Sequence, residues 1–263
     1  MIVQNRMKQK NFWEILTVLT VRHIQVKYKQ TFFGVIWAVF LPIVIVMAGV
    51  FVRTGIYFVS KGAVELTRIE SVAVKSLPWA FFVGALKFTV NSLVSNMGIL
   101  KKIYFPRIIF PLSYILSSLF DLFVAAIAFG ILLAIFFHIG ISWYILWAPF
   151  LLLVMVCYTA GWGIILSCAN LFYRDVRLII DIFLTFAIFV TPVYYNAGLF
   201  GKWKFIVMLN PVASVLEALN DVIVLHQPPE YLWVLYATVW ACFIFILGWK
   251  TFRKFEPFFA DRV

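Results

Sequence analysis

Charged residues are scarce in this 263-residue chain: they make up 13% of it, against 64% apolar residues. A soluble globular protein of this length could not cover so much apolar surface, so the composition excludes that class and indicates lipid as the solvent. Cysteine is also rare. Cys157, Cys168 and Cys242 lie in apolar stretches without paired spacing, so we interpret them as packing residues and expect neither disulfides nor a metal site.

Motifs that would indicate catalysis are lacking as well. The chain has no G-x-x-x-x-G-K-[ST] phosphate loop, no H-E-x-x-H and no G-x-S-x-G, and its three histidines lie far apart in sequence. We therefore predict that the chain is not an enzyme and binds no cofactor. Energy for any transport against a gradient must come from a partner or from ions.

The net charge of +11 does not predict nucleic-acid binding, because the basic residues lie between apolar runs.

Long apolar runs are what the sequence has instead, at about 33-52, 77-97, 108-137, 143-169, 178-195 and 231-249. A hydrocarbon core about 30 Å thick needs about 20 helical residues per crossing. We therefore predict an all-α integral membrane protein, a single domain over 1-263 with six transmembrane helices. The first run begins after about 32 polar or amphipathic residues, so we expect it to be retained and not removed as a signal peptide.

Lysine and arginine are distributed unequally between the segments that connect these runs. Fifteen lie in the two tails and in loops 98-107 and 170-177, whereas six lie in the opposite segments, 53-76, 138-142 and 196-230. Basic residues concentrate on the cytoplasmic side of membrane proteins. The distribution predicts a multi-pass protein of the inner membrane with both termini in the cytoplasm.

Residues 11-32 have the pattern of an amphipathic helix that lies in the membrane interface. Asn11 and Glu14 have the spacing of a capping box, and apolar residues follow at helical intervals before a basic stretch. Periodicity alone does not distinguish this interface helix from a segment that only anchors the chain to lipid.

On the opposite side, the stretch Phe205–Leu225 is too apolar for an exposed loop and is broken at Asn210–Pro211. We predict two short helices there that dip back into the membrane.

Three charges fall inside the predicted spans, where charges are costly and therefore functional candidates. Lys87 and Asp121 lie at depths that differ by only about 5 Å, taking 1.5 Å of rise per residue. We predict a structural ion pair between them, with a proton relay as the alternative. Asp181 is close enough to the interface to be solvated.

Aromatic side chains recur on spans one and five. Such stripes usually indicate helix packing or interface belts, but they could also line a path for a bulky amphiphile. The candidates for such a channel are Phe33, Trp37, Phe40, Phe183, Phe186, Phe189, Tyr194 and Tyr195.

The stretch from Arg22 to Trp37, followed by Pro42, resembles the opening of ABC-2 type permeases that export O-antigen, capsule and teichoic acid polysaccharides. Further matches follow in the family's order: Leu77–Trp79, Lys101–Arg107 with Pro111, Asn170, Tyr173–Val176, Thr191–Val193, Leu209–Pro211 and Phe258–Asp261. The resemblance covers about 12-262. One departure is His23, which stands where many relatives have an acidic residue.

This resemblance implies a homodimeric permease for lipid-linked polysaccharide, bound to two copies of a separate ATPase subunit that holds the ATP and magnesium. Spans one and five would border the polymer path, and 196-226 would form outer gate helices. The Tyr173 loop would belong to the ATPase contact or to the substrate entrance. The residues that the resemblance assigns to the ATPase contact are Arg22, Lys27, Lys101, Lys102, Tyr104, Arg174 and Asp175.

Other functions remain open at the level of the sequence. An ABC-2 exporter of drugs or lipids would share the fold, and a membrane scaffold without transport activity would share the composition. A proton-coupled carrier would require Lys87, Asp121 or Asp181 to titrate during transport.

Overall fold

The computed structural model of the chain describes residues 2–29, 34, 36–59, 69–100, 106–137, 140 and 142–259, and every regular element among them is helical. The predicted all-α class is therefore confirmed for these residues. The α-helices are α1 (Ile2–Lys29), α2 (Ile36–Val59), α3 (Ile69–Val90), α4 (Ser92–Ser95), α5 (Met97–Leu100), α6 (Ile109–Phe137), α7 (Ala148–Phe172), α8 (Asp175–Val190), α9 (Lys204–Met208), α10 (Pro211–Ile223) and α11 (Tyr231–Phe255). Short 3-10 helices cover Trp143–Trp147, Ala197–Trp203 and Glu256–Phe258.

Four segments of the described chain are long and apolar enough to cross a membrane. They are Ile69–Val90, Ile109–Leu132, Trp143–Phe172 and Tyr231–Phe258. The first and fifth predicted runs correspond to α2, which contains the apolar stretch Ile43–Val52, and to α8, which has 16 residues.

Helix α3 begins at Ile69, earlier than the predicted start at residue 77, and ends at Val90. The early start places Lys75 inside a helix, whereas the sequence predicts it in the outer segment 53-76. Of the four candidate spans, α3 is the most enclosed, with 72% of its apolar stretch buried against 28% for Tyr231–Phe258. It packs against α2, α6, α7 and α10, so it forms the centre of the bundle.

Helices α7 and α11 approach each other closely because glycines lie at their crossing. A Cβ atom added to Gly248 would lie 2.6 Å from the carbonyl oxygen of Gly161, and one added to Gly161 would lie 2.6 Å from the backbone of Ile244. Small residues let helix backbones pack closely where lipid, not water, surrounds them. The two glycines therefore set the spacing of this helix pair.

Helix α1 lies along one end of the bundle. Its residues Leu16 and Leu19 are buried in a cluster with Phe110 of α6, Cys168 of α7 and Phe252 of α11. The predicted apolar stripe thus packs on protein. The helix begins at Ile2, so Asn11 lies within it and not at its cap. The residues before Asn11 include several good helix formers, which favours this extension.

Short helices fill the segment between α8 and α11. Asn210 caps α10 by accepting a hydrogen bond from the Val212 N–H at 3.1 Å, and Pro211 occupies the first turn, where its missing N–H costs nothing. The predicted break at Asn210–Pro211 is therefore the start of a helix. Because ten of the thirteen residues of α10 are buried, this helix lies inside the protein.

Candidate functional site

A fully buried lysine on α3 is the centre of a polar cluster. The Lys75 Nζ donates to Glu217 Oε1 at 2.9 Å, to Asn196 Oδ1 at 2.8 Å and to the Tyr195 carbonyl at 3.0 Å. These acceptors use all three ammonium donors, as a buried charge requires. We call Lys75, Tyr195, Asn196 and Glu217 the Lys75 cluster.

The Lys75 cluster connects three parts of the chain. Glu217 on α10 also accepts the N–H of Ala197 at 2.8 Å, so one carboxylate oxygen binds both α3 and the segment that follows α8. The sequence prediction missed this cluster because a lysine so close to Arg68 and Glu70 looked like part of a loop. The apolar neighbours Val74 and Leu77 were the available signal.

A polar cavity of about 180 Å³ lies beside this cluster, between α9, α10 and the start of α11. Lys204 and Glu230 form an ion pair across its rim. Burial, followed by the negative charges of Glu217 and Glu230, raises the pKa of Asp221 to about 7. Polar and aromatic residues that line the cavity include Asn196, Lys204, Glu217, Asn220, Asp221, Glu230 and Trp233.

The predicted channel aromatics divide into exposed and half-buried residues. Phe183, Phe186 and Phe189 on α8 are 63–65% exposed, whereas Leu184 is buried. Trp37 and Phe40 on α2 are also exposed, and their rings pack edge to face with centroids 5.0 Å apart. Phe33 lies outside the described residues. Exposed apolar rings of this kind must face lipid, a partner chain or a path through the membrane.

The two remaining candidates, Tyr194 and Tyr195, make contacts that stabilise the end of α8 and its packing against α2. The Tyr195 hydroxyl donates to the carbonyls of Phe189 at 3.1 Å and Val190 at 3.0 Å, at the end of α8. Tyr194 lies against α2, because a Cβ atom added to Gly49 would be 2.8 Å from its ring. This contact brings α2 to the end of α8.

The predicted ion pair between Lys87 and Asp121 is corrected by the structure. Asp121 on α6 accepts hydrogen bonds from Lys27 and Tyr28 of α1. Lys87 on α3 instead pairs with Asp181 of α8, with its Nζ 3.6 Å from Oδ1 of the carboxylate. Our prediction compared only the depths of Lys87 and Asp121 along their helices. Depth does not fix the direction in which a side chain leaves a helix, and α1 lies against α6.

The pairing of Lys27 with Asp121 leads to a charge-reversal test. We expect Asp121→Lys to lower the amount of folded protein several-fold, because it places a lysine beside Lys27 and removes the acceptor for Tyr28. Lys27→Asp combined with Asp121→Lys should restore most of it, as measured by fluorescence-detected size exclusion. The matched control, Lys87→Asp with Asp121→Lys, should not. Equal recovery in the two double variants would contradict the pairing.

A second cavity, of about 370 Å³, lies between α1, α3 and α6, with Arg22 and Lys27 among the residues that line it. His23 stacks on Tyr114 there, with ring centroids 3.9 Å apart and planes 23° from parallel. Burial, aided by the charge of Arg22, lowers the pKa of His23 to about 4. His23 is therefore neutral near pH 7 and does not replace the charge of an acid.

The other residues predicted to contact an ATPase are exposed or lie outside the described part of the chain. Arg22 on α1, and Arg174 and Asp175 at the start of α8, are exposed. Asn170 holds this corner in place, since its side chain donates to the Val90 carbonyl at 3.1 Å and accepts the Arg177 N–H at 3.2 Å. Lys101, Lys102 and Tyr104 lie outside the described residues.

Comparisons with known proteins cover nearly the whole chain. A family model described as ABC-2 type transporter matches residues 14–224. An O-antigen export system permease protein, RfbA, of Klebsiella pneumoniae is 28% identical over 255 residues, which is 95% of both chains. A second RfbA of Klebsiella pneumoniae is 27% identical over 258 residues, and one of Myxococcus xanthus is 22% identical over 223 residues, covering 95% and 82% of both chains.

Proposed function

The chain belongs to the ABC-2 type transporter family, and we propose that it is the transmembrane permease of an ATP-driven exporter of lipid-linked, O-antigen type polysaccharide. The observation that carries this proposal is the similarity to O-antigen export permeases along 95% of both chains. The apolar composition and the four membrane-length helical segments agree with a permease.

The proposed topology has six spans in the inner membrane, with α2 and α8 added to the four membrane-length segments. Both are apolar and pack against α3, the central helix. The distribution of basic residues supports cytoplasmic termini. Fifteen basic residues lie in the segments assigned to the cytoplasmic side. Six lie in those assigned to the outer side, or four if Arg53 of α2 and Lys75 of α3 are left out as helical. The Lys75 cluster and the polar cavity then lie at the outer end.

In this proposal the polymer passes between two copies of the chain. The exposed rings of α8 and α2 are the surface available for such a path, and Phe183, Phe186 and Phe189 are its largest part. Aromatic faces can hold sugar rings without the fixed charges that would stop a moving polymer. The short helices around Asn210 form the outer gate, while Tyr194 and Tyr195 support it from the end of α8.

The energy comes from a separate ATPase subunit, two copies per dimer, which binds ATP and magnesium. The chain has no phosphate loop of its own. The proposed contact surface comprises α1 with Arg22, the loop with Lys101, Lys102 and Tyr104, and the corner with Arg174 and Asp175. Lys27 and Tyr28 bind α1 to α6 through Asp121, so a displacement of α1 by the ATPase moves a span with it.

Deletion of the permease tests the proposal. We expect cells without this chain to lose surface polysaccharide and to accumulate lipid-linked polymer in the cytoplasm, because synthesis continues while export stops. The measurement is immunoblotting of surface and cytoplasmic polymer. An ABC ATPase of the same cells should co-purify with this chain and hydrolyse ATP faster in its presence.

Complementation supplies the controls. The wild-type chain should restore surface polymer only together with an ATPase that retains its catalytic carboxylate. Normal surface polymer in the deletion strain would contradict the proposal, and altered drug sensitivity there would favour a drug exporter. Absence of any ATPase complex would favour the scaffold.

A further inference from the structure

The polar cavity between α9, α10 and α11 has on its wall an amide oxygen without a hydrogen-bond partner among the described residues. Asn220 is 1% exposed, lines the cavity, and its Oδ1 has no hydrogen-bond partner in the described part of the chain. Most buried polar atoms in folded proteins are hydrogen-bonded, so each exception requires a physical explanation. A hydroxyl donor of a ligand in the cavity would supply the missing bond once the side chain, whose Oδ1 is itself enclosed, turns toward the ligand.

Two carboxylates add acceptors to the same cavity. Asp221 forms no ion pair and no side-chain hydrogen bond with any other described residue, and only Oε1 of Glu217 is used by Lys75 and Ala197. The raised pKa of Asp221 allows its carboxyl group both to donate and to accept near neutral pH. Lys204, held by Glu230, adds a donor at the rim. The cavity therefore offers several acceptors and a few donors within a small volume.

An aromatic side chain contributes an apolar wall. Trp233, on the first turn of α11, lines the cavity, and its indole ring packs edge to face on Tyr236 with centroids 5.9 Å apart. Indole offers a broad apolar face that suits the C–H side of a flat ring, while amide and carboxylate oxygens suit hydroxyls on the edge.

Other ligand classes fit this cavity less well. The described residues contain no group of three acidic, histidine or cysteine side chains with the geometry to hold a metal ion. An anion would meet three acidic residues of the lining, Glu217, Asp221 and Glu230, against one lysine, Lys204. A neutral ring that carries several hydroxyls satisfies the acceptors, the donor and the apolar wall together.

We propose that this cavity is a saccharide subsite that holds one uncharged sugar unit of the exported polymer at the outer end of the permease. The inference rests on the proposed function, because the polymer is the saccharide that reaches this end. Because the cavity lies beside the Lys75 cluster, a sugar bound in it would also affect the contact between α3 and α10. A sugar held there would occupy the outer gate before release.

Two variants in the cavity test this inference. The probe is a set of oligosaccharides of one to two repeat units, prepared by partial acid hydrolysis of the delipidated surface polysaccharide of the same cells. Binding to the permease–ATPase complex in nanodiscs is measured by microscale thermophoresis. We expect Trp233→Leu and Asn220→Leu each to weaken binding about tenfold. Asn220→Leu should also leave thermal stability unchanged or raise it, because it removes a buried polar atom that lacks a partner.

The matched control is Trp240→Leu, which changes the same residue type two turns further along α11, outside the cavity. It should bind the oligosaccharides as the wild type does. Equal affinity in all four proteins would overturn the subsite, and so would the absence of binding to the wild-type complex. Neither of these binding results changes the outcome of the deletion experiment. Failure of the subsite can therefore be distinguished from failure of the proposed export function.

Discussion

Replacing Lys75 with methionine is expected to remove most of the folded permease from the membrane. The substitution leaves the Glu217 carboxylate buried without its cation, and it deprives Asn196 and the Tyr195 carbonyl of their donor. Breaking one side of a buried ion pair typically costs about 3–5 kcal/mol, which is a large part of the stability of most proteins. The measurement is the amount of monodisperse protein after extraction, together with its unfolding temperature.

Two further variants separate the buried pair from charge in general. Lys75→Met with Glu217→Met should recover part of the lost protein, because no unpaired charge is then buried; the Ala197 N–H remains without its acceptor. Lys87→Met is the matched control on the same helix. Both side chains of its ion pair with Asp181 are more than a third exposed, so loss of this pair should lower the free energy of unfolding by about 1 kcal/mol or less. Equal losses for Lys75→Met and Lys87→Met would contradict the role of burial.

Replacing Gly248 with alanine is expected to destabilise the pair of helices α7 and α11. The new methyl group would lie 2.6 Å from the Gly161 carbonyl oxygen, and this oxygen belongs to the backbone, so the helices themselves must separate. Overpacking of this kind costs about 1–3 kcal/mol. Thermal unfolding of the purified protein, followed by tryptophan fluorescence, measures the loss.

The control for this variant is Gly130→Ala in α6. A Cβ atom at Gly130 would meet no atom of the described chain within 4 Å. Alanine is the better helix former by about 1 kcal/mol, so this variant should unfold at the same or a higher temperature than the wild type. The two alanine variants should therefore shift stability in opposite directions. A Gly248→Ala protein as stable as the Gly130→Ala protein would show that the helices are not in contact at this position.

The sequence predicted the long helices well where an apolar run ends at polar residues on both sides. The run 108-137 corresponds to α6, Ile109–Phe137, and the run that starts at 231 corresponds to α11. The start of α3 was misplaced because Lys75 interrupts the apolar pattern. Its partners are more than 100 residues away in the chain, and hydropathy in a local window cannot detect them.

The candidate site was less predictable because it depends on how helices face each other. The sequence placed Lys87 and Asp121 at similar depth, but the helix faces decide that Asp121 meets Lys27. The polar cavity combines residues of α9, α10 and α11 that share no motif, so only the folded chain shows it. The aromatic channel and the ATPase contact surface stay predictions, supported by the exposure of Phe183, Phe186, Phe189, Arg174 and Asp175.

The long separation of Lys75 from Glu217 also has a consequence for biosynthesis. The two residues are 142 positions apart, and ribosomes add about 5–20 residues per second. Lys75 therefore emerges on the order of ten seconds before its carboxylate partner exists. During that time only water, lipid head groups or the insertion machinery can solvate its ammonium group. A nascent chain stopped before α10 thus carries a charge in α3 that no carboxylate of α10 yet compensates.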